Sequence, residues 1–415
     1  MKKYEYLALF VSIEDNKSFR RILSNNSYIF SKIFENFEKI FILDVCYFRA
    51  SSKKNNLNTG ILKEFFPNKN IDFLSIKNFL SLSKFLKNKK IVAFNFFGTG
   101  YKAIISNIFF RFFDIKFIQI INSGSVQYGL YPVSNNKIKG ILSYYKKNLS
   151  HKLTVLLSNI GMIHKIDIRF ISNSDYFKYK RHSIFNIIFN FLNLSYVKSL
   201  IKINSRAHDI FLETKMEIND SLISVLDEQL NEPQWLRFRK KIEDNEIEAH
   251  YKKLNSYLKK LSSILNKKVI ICIHPNDDLE YKKKIFRDFE VAKYVTREKI
   301  YSSFLIVFFE SSAIIDAILL NKNITTIQSS ILDQNQVASS MHYAKELSIP
   351  ISNIDTIDKI NIDMNYLTEN KIIKPPSELK RDYNRYIEKY ICADQKGLLG
   401  LDKVIEIIKN KYRLD

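Results

Sequence analysis

Two apolar runs limit what this chain can fold into. Lys268-Val-Ile-Ile-Cys-Ile-His-Pro275 carries five apolar residues straight into a His-Pro pair, and Leu305-Ile-Val-Phe-Phe-Glu-Ser-Ser312 runs on into Ala313-Ile-Ile-Asp-Ala-Ile-Leu-Leu320. Runs of this length without polar alternation read as strands buried on both faces, the condition of a parallel sheet. His274, Pro275 and Asn276 then lie at the carboxyl end of a strand, where open α/β sheets bind ligands. Ser311 and Ser312 fall at a strand-to-helix turn, because Ala313, Ile314, Ala317, Ile318 and Leu320 follow at helical spacing. A serine at a helix start can cap it. Free amides and the positive end of the helix dipole there attract anions. The pattern predicts a phosphate held between an imidazole and a helix N-terminus.

The rest of the chain alternates in the same way. Strands are expected at Tyr6–Ile13, Lys39–Phe48, Lys90–Phe97 and Lys116–Ile121, with helices over Ser18–Phe37, Ile76–Leu86 and Tyr101–Phe113 between them. Alternating strands and helices imply a parallel sheet. Gly98-Thr-Gly100 reads as a tight strand-to-helix turn, since it lacks the third glycine of a dinucleotide fingerprint. Lys137–Lys152 is basic and aromatic, Arg169–Arg181 continues the basic character, and Ser183–Ile203 reads as a helix apolar over much of its surface. That helix fits either a buried position or a seat on an anionic bilayer. Ala207–Glu213 is expected as a strand with Glu213 at its edge, and Asp220–Trp235 as a polar connection. Glu243–Leu265 is an amphipathic helix leading into the His-Pro strand. Glu290–Val295 reads as a short strand, Thr296 as the cap of a helix, and Ser377–Ile391 and Asp402–Tyr412 as terminal helices.

Length and charge set further bounds. A chain of 415 residues exceeds one compact core, so two domains are expected. The net charge of +22 favours an anionic partner, or is a Lys-rich solvated surface. Nucleic acid is not expected, because the lysines are scattered and no nucleic-acid signature is present. Cys46, Cys272 and Cys392 make neither a metal spacing nor an even disulfide set, which fits a reducing cytoplasm. The N-terminal apolar run is followed by Glu14 and Asp15 without a small-residue cleavage site, so it reads as a strand and not as a signal peptide. Uninterrupted apolar stretches of about 20 residues are absent, so a membrane span is not expected.

The order His274-Pro275, then Ser311-Ser312, resembles the two motifs of bacterial sialyltransferases and related transferases that use CMP-activated acidic sugars. The resemblance covers about residues 207–330. It implies the GT-B architecture: an α/β chain with two Rossmann-like domains whose parallel sheets face a cleft. The domains would be residues 1–203 on the acceptor side, 204–376 for the nucleotide sugar, and 377–415 as helices packing back across the cleft. It also implies an inverting displacement. In that family an acidic pair followed by glycine occupies the loop after the fourth strand, and one acid deprotonates the acceptor. Here those positions hold Asn122 and Ser123, neither of which is a base at neutral pH. The identity of the base is therefore open among Asn122, Ser123 and Glu213.

His274 is expected to bond a phosphate oxygen and to stabilise charge on the leaving group; the plain alternative is a strand-end histidine bonded to a carbonyl. Ser311 and Ser312 would bond the same phosphate or simply cap the helix. Glu310 would accept from a ribose or a base amine or face solvent, with Thr296 and Asn276 beside it. The chain has no Asp-x-Asp pair and no His pair at i and i+4, so neither a metal nor another cofactor is expected. The reading is a cytoplasmic glycosyltransferase, peripheral at most on the inner membrane face. It would move a CMP-linked sialic or nonulosonic-type sugar to a glycan or glycolipid acceptor. Two alternatives stay open: another GT-B-like transferase, such as a CDP-polyol phosphotransferase or a UDP-sugar enzyme, and a non-catalytic membrane-surface or glycan-binding protein.

Overall fold

The structure, a computed structural model, describes residues 6–11, 16–37, 40–44, 60–67, 71–75, 79–87, 89–95, 108, 110–121, 153–172, 196–228, 230, 241–275, 277–392, 394 and 397–414. These form two compact units. The first holds the described residues up to 121, those from 153 to Asp209, and those from Cys392 onward; the second runs from Ile210 to Ile391. Each is built on its own parallel sheet, so the chain consists of two Rossmann-like domains, as expected for the GT-B class.

In the first unit the strands are β1 (Tyr6–Val11), β2 (Ile40–Asp44), β3 (Asp72–Ser75), β4 (Ile91–Asn95), β5 (Ile115–Ile121), β6 (Ile166–Ile171) and β7 (Val197–Lys202), in the spatial order β3-β2-β1-β4-β5-β6-β7. All six neighbouring pairs are parallel. Successive side chains of a strand point to opposite faces. On β1, Leu7, Leu9 and Val11 enter one core with Phe30, Phe34 and the C-terminal helix residues Leu401, Val404 and Ile408. Ala8 and Phe10 enter a second core with Leu86, Phe110 and Phe117. Burial on both faces is why these strands are apolar throughout.

In the second unit β8 (Leu222–Leu226), β9 (Lys268–Ile273), β10 (Glu290–Lys293), β11 (Ser303–Phe308), β12 (Asn323–Gln328) and β13 (Ile351–Asn353) run in the order β10-β9-β8-β11-β12-β13, again all parallel. This is the doubly wound 3-2-1-4-5-6 arrangement, with its reversal of strand order between β8 and β11. The helix Asp244–Leu265 covers one face through Ile247, Tyr251, Leu254, Leu258 and Leu261. Its start is closed by a capping box, Glu243 and Glu246 each bonding the other's backbone.

Four expectations are corrected. Ala207–Glu213 is not a strand: Arg206–Glu213 is helical, and Ser205 Oγ accepts the His208 amide at 3.2 Å at its start. The polar connection at 220–235 contains β8, the central first strand of its sheet. The end of the expected helix at 183–203 is β7, an edge strand alternating Val197, Ser199 and Ile201 with the exposed Lys198, Leu200 and Lys202; residues 183–195 lie outside the described residues. The basic segment expected from Arg169 begins within β6, which is buried along its whole length, while 137–152 and 173–181 lie outside the described residues. The charges of β6 are paired: Asp167 accepts the Phe117 amide at 3.0 Å and Lys198 Nζ at 2.8 Å, and Arg169 Nε donates to Gln119 at 2.8 Å. Gly98-Thr-Gly100 and Cys46 lie outside the described residues. Among the described residues no helix is long and apolar enough to cross a membrane.

Candidate functional site

His274 follows β9 directly, and Ser311 and Ser312 follow β11. Cys272, Leu226 and Phe308 lie in one row across β9, β8 and β11. Since the three strands are parallel, His274 and the two serines emerge at the same sheet edge. They are separated by two strand spacings, about 10 Å. Between them is the end of β8, so the group straddles the place where strand order reverses. That is the position at which doubly wound sheets bind ligands.

The His274 turn is built by its neighbours. The Asp277 amide donates to the His274 carbonyl at 2.9 Å, and Asp277 Oδ2 accepts the His274 amide at 3.2 Å. From the end of β10, Lys293 Nζ donates to the Asp277 carbonyl at 2.9 Å and Tyr294 Oη to the Pro275 carbonyl at 3.3 Å. Both backbone amide and carbonyl of His274 are thus engaged, while the residue itself is exposed. Tyr294 stands in the left-handed region at φ 67, unusual for a bulky side chain, and is 74% exposed. Its ring is exposed beside the His-Pro turn, with Lys293 Nζ over it at 5.2 Å from the centroid.

The serine turn differs from the expected cap. The helix is the short Ile314–Leu319, its N-cap is Ala313, and no side chain caps it. Ser311 Oγ instead accepts the Ala313 amide at 3.3 Å, a turn closed two residues on. The Ser311 hydroxyl keeps its proton to donate outward, and Ser312 is exposed. Six residues give a weak dipole, so any anion here relies on hydroxyls and turn amides. The helix is anchored from below by Arg297, whose Nε donates to the buried Asp316 at 2.9 Å. Burial raises the Asp316 carboxyl above its ordinary range, and Arg297 opposes that.

Glu310 is exposed at the same edge. Thr296 does not cap its helix; it is the first helical residue of Thr296–Tyr301, and its hydroxyl bonds the Cys272 thiol. Burial pushes that thiol up to about 12, so Cys272 is a core group and not a nucleophile. Glu213 ends the helix Arg206–Glu213 and is exposed. Asn122, Ser123 and Asn276 lie outside the described residues.

The structure adds residues that sequence reasoning missed. At the end of β8, the buried Asp227 pairs with the buried Lys282, whose Nζ also reaches Tyr251 Oη at 2.5 Å. Burial raises the Asp227 carboxyl and Lys282 opposes it. Next to Asp227, Glu228 Oε1 accepts from Gln336 Nε2. His250 Nδ1 meets Ser329 Oγ at 3.1 Å past the end of β12, and burial pushes the imidazole down to about 4, leaving it neutral. Lysine and aspartate 55 positions apart carry no local signal of such a pair; only recognition of β8 as a strand could have drawn attention to Asp227.

No protein-family model matches the chain, and no curated protein matches its sequence. Solved structures do match in shape. Arabidopsis thaliana UGT89C1 complexed with quercetin superposes with a TM-score of 0.50 at 9% identity, over 99% of this chain and all of that one (100%). The S. aureus MnaA–UDP structure matches at 0.48 and 11% identity, over 100% of this chain and 98% of that one. The wall teichoic acid polymerase TagF matches at 0.46 and 10% identity, over 98% of this chain and 88% of that one. The first of these likenesses concerns the fold, and a fold of this kind hosts several chemistries.

Proposed function

We propose that this chain is a GT-B glycosyltransferase that takes a nucleotide-activated sugar at the carboxyl edge of the β8–β13 sheet. The observation that carries it is the shared edge of His274 and Ser311-Ser312 at the reversal of strand order. His274 donates to a phosphate oxygen and stabilises the charge that grows as the glycosidic bond breaks. Ser311 and Ser312 donate from the other side. Tyr294 offers its face to the base. The finer reading is a CMP-linked acidic sugar donor, supported by the order of the His-Pro and Ser-Ser motifs. A UDP-sugar donor is the second reading, because His274 and Ser311-Ser312 would grip phosphate and do not by themselves select the base.

Calorimetry with CMP, UMP, UDP and cytidine tests this. His274→Ala should weaken CMP far more than cytidine, by about 1.5–3 kcal/mol, since a hydrogen bond to a charged group is lost. Ser312→Ala should cost less and couple with it by roughly 0.5–3 kcal/mol, as residues sharing a partner do. Tyr294→Ala should weaken CMP and cytidine alike, by about 1–3 kcal/mol. Equal losses of CMP and cytidine in His274→Ala would remove the phosphate role. Tighter binding of UDP than CMP would replace the donor, and nucleotide binding without turnover of any nucleotide sugar would favour a non-catalytic binder.

A further inference from the structure

The amino edge of the first unit's sheet carries a different surface. Strands β5, β6 and β7 are parallel, so the connections that lead into them share the amino edge of the sheet. Two of those connections meet there. The rings of Phe117 and His164 are 5.6 Å apart, and His164 bonds the backbone of Phe113. Gly161, at φ 77, sits against Arg111: a side chain begun there would lie 3.7 Å from Arg111 Nη2. At this meeting point Phe112 is 78% and Ile160 61% exposed, with Leu156 and Met162 exposed beside them. Leu156 and Ile160 are four apart on the helix over 153–159 and its closing turn, so they share a face. One exposed apolar residue is ordinary; four of them on two touching connections make a patch.

Cations rim the patch. Arg111 is exposed, Lys116 and Lys165 are half-buried, and Lys198 is exposed at the start of β7. Against these four stand Asp114, 3.5 Å from Lys116, and Asp167, 2.8 Å from Lys198. Burial holds the His164 imidazole below its ordinary range, so it adds no charge at neutral pH.

We propose that this edge docks on an anionic lipid surface, with Phe112, Ile160, Leu156 and Met162 entering the acyl boundary and Arg111, Lys116, Lys165 and Lys198 meeting the headgroups. Charge complementarity selects the occupant: the rim has an excess of cations, on a chain of net charge +22. Apolar prongs rimmed by long basic side chains are the composition of interfacial anchors. Nucleic acid would not use exposed Ile, Leu and Met. The carboxyl ends of β1–β7 lie at the other edge of this parallel sheet. The inference does not depend on the donor proposed above.

Co-sedimentation of the full chain with vesicles tests it, comparing pure phosphatidylcholine with a mixture containing about a third phosphatidylglycerol. The chain should bind the anionic vesicles, weaken steeply as salt rises because exposed charges are screened, and bind the neutral ones little. Phe112→Ser with Ile160→Ser should reduce binding by about tenfold or more, and Arg111→Glu should reduce it at low salt. The melting temperature should not move, since these side chains are exposed. Absence of binding to anionic vesicles, or serine variants that bind like the parent, would overturn the proposal. So would light scattering showing that the parent self-associates without lipid and the serine variants do not, which would make the patch a contact between copies.

Discussion

Asp209 holds two backbone amides at once. Gly400 N donates to Oδ1 at 2.7 Å and Leu401 N to Oδ2 at 3.0 Å, so this buried carboxylate caps the helix Gly400–Tyr412 from 191 positions away. Asp209→Ala leaves both amides buried and unsatisfied and should cost about 2–4 kcal/mol, at about 1–3 kcal/mol for each orphaned group with partial relaxation; urea unfolding measures it. Beside it, burial pulls the His208 imidazole down, but Asp209 at 3.9 Å and the Cys392 thiol outweigh that and raise it to about 9. A folded-state pKa above the unfolded value of 6.5 means that this stability is whole below pH 6.5 and is lost as pH rises through about 9. The melting temperature should therefore decline across that window, and His208→Gln should flatten the decline; parallel profiles would show that His208 is not its source. His250 works in the opposite sense, its contribution lost as pH falls from 6.5 through about 4. In the second unit, Lys282→Met would strand Asp227 as an uncompensated buried charge, at a cost of about 3–5 kcal/mol. Replacing both partners with apolar residues of similar volume should recover much of that loss.

At the scale of elements, the first residue of the C-terminal helix shows packing overruling propensity. Alanine exceeds glycine by about 1 kcal/mol inside a helix. A Cβ at Gly400, however, would be driven into the Asn204 carbonyl and lie 3.0 Å from the Asn204 nitrogen. Asn204 cannot give way freely, because its side chain donates to the Leu398 carbonyl at 2.8 Å and accepts the Asp394 amide at 3.0 Å. Gly400→Ala should therefore destabilise, by about 1–3 kcal/mol, and a stabilised variant in the same urea titration would refute the clash. Strand β7 shows the same competition. Its lysines at alternate positions suit a sheet edge, where charge discourages pairing with other chains.

At the scale of the whole molecule, the chain leaves the first unit after Asp209 and returns to it at Cys392. The returning segment is part of that unit's core: Leu401, Val404, Ile405, Ile408, Tyr412 and Leu414 pack with Phe30, Phe34 and Phe37. Burying one such side chain contributes about 1.5–3 kcal/mol, so six contribute about 9–18 kcal/mol before their ordering is counted, as large as the roughly 5–15 kcal/mol net stability of an ordinary domain. Truncation after Ile391 should unfold the first unit and spare the second. Hydrogen exchange read by mass should then show protection lost over the described residues before 209 and retained in β8–β13. Loss of protection in both would mean that the units fold as one.

The apolar runs were legible in the sequence because burial on both faces leaves a composition that no neighbour can disguise. Lys268–Ile273 and Ser303–Phe308 are strands, His274 and Ser311 follow them, and the parallel architecture follows from their alternation with helices. What the sequence hid were elements whose burial is paid in polar pairs. β6 is hidden because it carries Asp167 and Arg169, which find partners on β5 and β7 only in the fold, and β8 reads as a connection because it is short and followed by Asp227 and Glu228. Arg206–Glu213 looked like a strand because its apolar residues stand side by side, and a serine cap outweighed them. The Tyr294–Pro275 contact, the Asp227–Lys282 pair and the Asp209 cap join positions 19, 55 and 191 apart. Only tertiary structure could decide them, because strand order, and not distance along the chain, determines which side chains meet at a sheet edge.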